Sequence, residues 1–319
     1  MPSLDATALR TAWGSFYQEG KIGPKNIIEQ IMTPSKFKSL FPTRVTKNTA
    51  EDNVRQVLTR VLQRFQSTYS ALGGMVFDPE TILLERVKIN ITLKPDELAD
   101  SAMQFMMDKG VDRSKMDIVE YLGMYLILKA QEDDEVNEAF FGVTGTITSG
   151  TPTAASATRT GWRKRMRDLN AASKLNVITT GALETDPSLF VKQVEDFRKA
   201  IPAKYRPLIK WISMDYEKEE LFKQGMDELY NVNYARVEDI ARIKNTNVMV
   251  VGSQAQTGSG NIWTTPSFNT IGFIKQPENK GVFAAGVKDI YDIQIATDWY
   301  EVQSVLNSLW VWSNDQDLS

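Results

Sequence analysis

The hydrophobic pattern is densest between Ser114 and Gly142, which read S-K-M-D-I-V-E-Y-L-G-M-Y-L-I-L-K-A-Q-E-D-D-E-V-N-E-A-F-F-G. Ser114 suits a helix N-cap, Asp117 stands where a capping box places its partner, and Gly142 suits a stop. The spacing predicts a helix of roughly 40 Å at ~1.5 Å per residue. Met116, Ile118, Val119, Tyr121, Leu122, Met124, Tyr125, Leu126, Ile127 and Leu128 leave its first half without a polar face. A helix apolar all round must be covered all round, and the run is too short to cross a bilayer. The expectation is a rod covered by the rest of its own chain, by other copies, or by both.

The pattern elsewhere is more broken. Residues 1–45 scatter large apolar side chains, among them Trp13, Phe16, Phe37 and Phe41, between the breakers Gly20, Gly23, Pro24 and Pro34. A short helix is expected from about Asp5, and the segment reads as an arm packing on its own body or on a neighbour. Val54, Val57, Leu58, Val61, Leu62 and Phe65 follow helical spacing over 51–66. Val87, Ile89, Ile91 and Leu93 alternate with polar residues, the mark of a half-exposed strand. Pro95 opens a further helix that closes near Gly110. Residues 143–161, rich in Gly, Thr, Ser and Ala, read as a flexible loop or an edge ribbon. Beyond them a helix is expected over 162–172, then strands at 176–180, 208–214 and 248–252 alternating with helices at 187–200 and 216–230, a small α/β or α+β unit. Strands near 271–275, 281–285 and 289–297 precede a last apolar element through Trp312, expected to return to the core beside the rod.

Composition narrows the function. The chain has 319 residues, of which 42% are hydrophobic and 24% charged, as in ordinary globular domains. A net charge of -3 gives no global nucleic-acid footprint. There is no cysteine and no histidine, so disulfides, thiol nucleophiles, Cys/His zinc sites and the commonest general base are excluded. No targeting or membrane-spanning run is visible, and no cofactor or metal site is expected.

The order of elements resembles the HK97-like shell fold of the major capsid proteins of tailed bacteriophages. The features are an irregular N-terminal arm, the strand Glu85–Leu93, P-D-E-L-A-D-S, a long helix ending in a glycine-rich loop, a mixed α/β unit and a returning apolar β element. The stretch L-Q-R-F-Q…G-G-M-V-F-D-P-E-T-I-L-L-E-R-V-K-I-N is similar to capsid proteins of phages of Bacteroidetes hosts, and A-K-Y-R-P-L-I-K-W-I-S-M fits the axial-domain pattern. The resemblance implies an α+β architecture: an N-terminal arm at 1–50, an extended loop within 51–93, a peripheral domain from 94–164 and 276–319 with its spine helix at 114–141, and an axial domain at 165–275. For 51–66 it favours two strands around a tip near Ser70 to Val76, where periodicity favours a helix; both stand open. It also implies a protein that is not an enzyme. Copies assemble into hexamers and pentamers enclosing double-stranded DNA, made in the host cytoplasm and ending in the virion, with portal, scaffolding or decoration proteins as partners. With no N-terminal scaffolding extension evident, a separate scaffold or none is expected. An encapsulin-like compartment is the nearest variant; a two-domain α/β enzyme binding a nucleotide or sugar near 176–260 is the alternative class.

Three clusters carry candidate chemistry. Arg159, Arg163, Lys164, Arg165 and Arg167 surround Trp162 and suit contact with packaged DNA or an acidic patch on a neighbour, or else a solvated helix start. Gly252-Ser-Gln-Ala-Gln-Thr-Gly258-Ser-Gly260 follows a strand as a phosphate loop does, but lacks Gly-Lys-Ser/Thr, so a surface loop is expected. Glu132, Asp133, Asp134 and Glu135 are consecutive on a helix and cannot converge on a metal; a solvated helix end is expected.

Overall fold

Alternating burial along short apolar runs builds the centre of the molecule. The computed structural model describes residues 36–58, 62–93, 129–130, 132–230, 241–275, 283–289 and 292–318. The expected helices near Asp5 and Pro95, most of the rod 114–141, and Trp13 and Phe16 lie outside the described residues. Strand β6 (Trp211–Asp215) is buried along its whole length and pairs in parallel with β7 (Met249–Ser253). Its side chains alternate: Ile212 and Met214 enter one core, Trp211 another. A strand covered on both faces reads as a continuous apolar run. The sheet continues through β8 (Trp263–Thr264) and β12 (Trp312–Asn314) to β5 (Asn176–Ile178), in the order β5-β12-β8-β6-β7.

Two helices cover the first face. Helix α2 (Pro187–Ala200), which follows α1 (Trp162–Ala171), starts on Asp186, whose side chain accepts from Leu189 N at 2.9 Å, with Pro187 at the first turn. That is the start a helix prefers. Phe190, Val191, Val194 and Phe197 make its buried stripe. Helix α3 (Tyr216–Tyr230) buries Phe222 and Met226 beside them. The two helices approach closely at Gly225, where an added Cβ would lie 2.0 Å from Pro187 O. Backbone stands on both sides, so Gly225→Ala must force α2 and α3 apart. Alanine's better helix propensity recovers less than overpacking loses, and a net destabilisation of about 1–2 kcal/mol is expected from the urea midpoint.

The second face is aromatic. Phe37, Phe41, Phe140, Trp162, Trp211 and Trp263 form one cluster, with ring centroids 4.8 Å apart for Trp162–Trp263 and 4.9 Å for Trp211–Trp263. Phe41 stacks on Trp263 at 5.9 Å, and Phe37 meets Phe140 edge-on at 5.8 Å. Of the four expected arm anchors, Phe37 and Phe41 are therefore buried in the body of their own chain. The arm region even contributes β1 (Thr43–Val45), parallel to β9 (Thr270–Lys275).

The second sheet is organised by the long strand β11 (Asp292–Val305). Strand β4 (Glu85–Leu93) runs antiparallel along one edge. On the other edge β10 (Phe283–Asp289) pairs with the first half of β11 and β9 with the second. Strand β9, placed with 165–275 from sequence, lies in the sheet of β4 and β11. Strand β12, placed with 276–319, lies inside the sheet of β5–β8.

Residues 51–58 are not helical. Strand β2 (Ala50–Leu58) pairs antiparallel with β3 (Met75–Leu83) in unbroken register from Ala50↔Leu83 to Leu58↔Met75. The ladder pairs the backbone of both segments along nine residues, which local apolar spacing does not foresee.

Candidate assembly surfaces

The β2–β3 hairpin is held at its base and bare at its tip. Leu84 N donates to Thr49 O at 2.9 Å, Asn53 Nδ2 donates to Leu306 O, and Ile82 and Leu84 are buried with Ile271 and Val302. Nine paired residues at ~3.3 Å each carry the chain about 30 Å outward. Residues 62–74 are all exposed, with Leu62 at 81%, Phe65 at 92% and Tyr69 at 92%. The bonds bracing this tip are made by polar side chains: Gln63 Nε2 donates to Ser70 O at 2.7 Å, and Gln63, Gln66 and Ser70 bond one another. Apolar side chains bared together on a projecting loop mark a surface that waits for a partner.

The basic cluster divides in two. Arg159 is not a surface cation: it is 1% exposed. Its Nη2 lies 2.7 Å from Asp134 Oδ1, its Nε lies 2.8 Å from Glu301 Oε1, and its Nη1 donates to Gln303 Oε1. Lys38 joins from the arm, with Nζ 2.5 Å from Asp134 Oδ2 and 3.7 Å from Glu301 Oε2. Glu138 Oε2 accepts from Thr158 N at 3.2 Å and Arg159 N at 3.4 Å. One charge network thus ties arm, end of the rod, glycine-rich segment and β11. Contact with DNA or a neighbour is withdrawn for Arg159, because its guanidinium is enclosed and already surrounded by carboxylates.

The other four cations sit on α1 and stay half-exposed. Arg163 covers the Phe141 ring at 4.5 Å, Lys164 pairs with Asp168, and Arg167 Nε donates to Asp317 O at 2.9 Å. Burial, and then the Arg167 charge, lower the Arg163 pKa. Burial also lowers that of Arg165, against the pull of Glu85.

Asp134 corrects the expectation of a solvated acidic run. Its side chain is 15% exposed. Burial alone would raise its pKa, but the charges of Arg159 and Lys38 outweigh burial and hold it at about 2, against an ordinary 3.8. A carboxylate depressed in the folded state stabilises above its unfolded value, and that contribution is lost as pH falls through the folded one. At ~1.36 kcal/mol per unit this amounts to about 2 kcal/mol. Urea midpoints of the native chain are therefore expected to fall between about pH 4 and pH 2. The Asp134→Asn variant, weaker at neutral pH, is expected to change less over that window. Equal slopes for the two proteins would remove the network from the acid response.

The glycine loop after β7 is filled from within. Gly258 N donates to Asp215 Oδ2 at 2.9 Å, Gly260 N donates to Asp317 Oδ2 at 3.1 Å, and Ser259 Oγ donates to the same oxygen at 2.6 Å. Amides that would cradle a phosphate are occupied by the chain's own carboxylates. The 143–161 segment is an ordered ribbon: Val143 N bonds Ser156 O at 2.8 Å and Gly145 N bonds Ala157 O at 3.0 Å. Glu85 of β4 clamps it by accepting from Thr144 Oγ1 at 2.9 Å and Thr160 N at 2.5 Å. Sequence reasoning missed Glu85 and Glu301 because each lies on a strand where an acid reads as a solvent-facing residue. Among the described residues no helix is long and apolar enough to cross a membrane.

No protein-family model matches the sequence, and no curated protein matches it either. Solved structures do. The procapsid of satellite phage P4 superposes with a TM-score of 0.53 at 11% identity, covering 91% of this chain and 98% of that one. The capsid of the native GTA particle gives 0.54 at 14% identity over 88% and 90%. The capsid of Myoviridae phage XM1 gives 0.50 at 11% over 84% and 85%. At such identities the likeness speaks to architecture, and with the projecting hairpin, the long β11 and the helix-covered β5-β12-β8-β6-β7 sheet it establishes that this chain has the α+β HK97-like fold of capsid proteins.

Proposed function

We propose that this protein is a major capsid protein, a structural subunit and not an enzyme. Its copies associate as hexamers and pentamers into an icosahedral head around the double-stranded DNA of a tailed phage. The observation that carries this reading is the hairpin with its bare Leu62, Phe65 and Tyr69 on a chain of capsid fold. A neighbouring subunit supplies the surface these side chains lack. Each subunit gives one hairpin and receives another, so modest contacts multiply through effective concentration. Arg163, Lys164, Arg165 and Arg167 face packaged DNA or a neighbour in this scheme; portal, scaffolding and decoration proteins complete the particle. A Bacteroidetes host rests on the sequence resemblance alone.

The test is to express the chain, concentrate it and follow it by sedimentation velocity and negative-stain microscopy. Rings, tubes or shells are expected, and a monomer persisting at millimolar concentration defeats the proposal. Shells recovered from cells with protein cargo instead of nucleic acid would turn the reading toward a protein compartment.

A further inference from the structure

Helix α2 carries opposite charge at its two ends. Around its start stand Glu184, Asp186 and, from α3, Glu228, all exposed; Glu228 Oε2 accepts from Ser188 Oγ at 2.9 Å. Beyond its last turn lies an open groove of about 550 Å³, lined in part by Arg198, Arg206, Pro207 and Lys210. Lys244 lines an adjoining pocket with Arg198 and extends the basic side. Fourteen residues of helix, roughly 21 Å at ~1.5 Å each, separate the two charges.

Part of this polarity is internal. The helix macrodipole favours an acid at the start and bases at the end. Asp186 caps the helix, Lys199 is engaged by Asp196 at 3.0 Å and Glu195 at 3.7 Å, and Arg206 Nε donates to Ile201 O at 2.7 Å. The remainder meets no opposite charge within the described residues, although Glu228 also accepts from Gln224 Nε2 at 3.2 Å. Among the described residues Glu184, Glu228 and Lys210 form no ion pair, and the buried Arg198 Nε has no hydrogen-bond acceptor. Each end also bares one leucine: Leu189 at 47% beside the acids, Leu208 at 40% beside the bases.

We propose that the two ends are halves of one contact between copies. The groove of one subunit receives the Glu184–Leu189 corner of the next, leucine against Pro207 and the exposed Leu208 at its edge, and acids against Arg198 and Lys210. The halves are different surfaces, so the contact is head-to-tail and closes into a ring or continues as a filament. The charges set register and encounter rate more than raw affinity. This rests on the shell-subunit reading and names the surfaces that meet around a capsomer. DNA could use the basic groove but gives the acidic corner no role.

The experiment is charge reversal, with assembly read by sedimentation velocity and folding checked by thermal melts. Asp186 and Arg206 are left intact, because both hold α2 together. The pairs Arg198→Glu with Lys210→Glu, and Glu184→Lys with Glu228→Lys, are each expected to raise the critical concentration about tenfold or more. All four changes in one chain are expected to restore assembly, because every subunit then carries the swapped pair and any ring can close. If the native chain assembles and the folded reversals assemble equally well, this contact is wrong and the shell reading stands. Folded reversals that fail without rescue in the chain carrying all four changes also overturn it. Normal assembly with lost DNA retention by the basic variant assigns the groove to nucleic acid instead. A native chain that never assembles defeats both readings. Should a reversal fail to fold, the corresponding glutamine variants and the salt dependence of native assembly decide, and salt-independent assembly overturns the contact.

Discussion

Replacing Arg159 by methionine is expected to cost about 3–5 kcal/mol of folding stability, read from urea unfolding. The loss comes less from the missing attraction than from what stays behind. Asp134 and Glu301 remain enclosed, and Glu138 loses the Arg159 charge that helps offset its own. Lys38 alone then faces two carboxylates across 2.5 and 3.7 Å. The Arg159 pKa is raised despite burial, because Asp134 and Glu301 stabilise the charged form. A buried charge without its partner is the expensive state, whereas neutral groups of similar shape can replace a whole ion network at little loss. Neutralising the network as a whole, with Asp134→Asn, Glu301→Gln and Lys38→Met added to the methionine variant, is therefore expected to recover most of the stability. A single methionine variant within about 1 kcal/mol of native would show that the cluster contributes nothing beyond packing.

Arg159 also shows why local sequence could mislead. It stands close to Arg163, Lys164, Arg165 and Arg167, and spacing alone groups it with them. Gly161 breaks the chain between it and α1: a Cβ there would lie 2.6 Å from both Glu138 O and Phe140 O. The backbone passes through that gap and Arg159 points inward, to carboxylates remote in sequence. Gly161 was the available signal, but only a known β11 could have named Glu301 as the partner. The same limit governs 51–58. Spacing of Val54, Val57 and Leu58 fits a helix, and the pairing that overrules it comes from Met75–Leu83, which no local window includes. By contrast α2 was legible almost to the residue, because its cap, proline and apolar stripe lie within one window. Strands β6 and β7 were legible as short apolar runs. That β12 enters their sheet from the far end of the chain was not, since Trp312 reads as apolar wherever it packs. The exposed tip was half legible: the glycines announced a turn, but the apolar residues beside them read as core.

Exchange of Leu62, Phe65 and Tyr69 for serine is expected to leave folding untouched and abolish assembly. Each is more than four-fifths exposed in the single chain, so the unfolding midpoint should move by no more than about 0.5 kcal/mol per site. In a shell each would be covered by a neighbour, at about 1.5–3 kcal/mol per side chain. Three such losses exceed about 4 kcal/mol per contact, which raises the critical concentration at least about a thousandfold. The separation of the two readouts is the useful part. The Arg159 variant loses assembly because it loses the body that carries the hairpin, so melting and sedimentation change together. The tip variant should melt like the native chain and sediment as a monomer. Shells forming at native concentrations from the serine variant would mean that the tip is a passive loop, and the partner surface would have to be sought elsewhere on the chain.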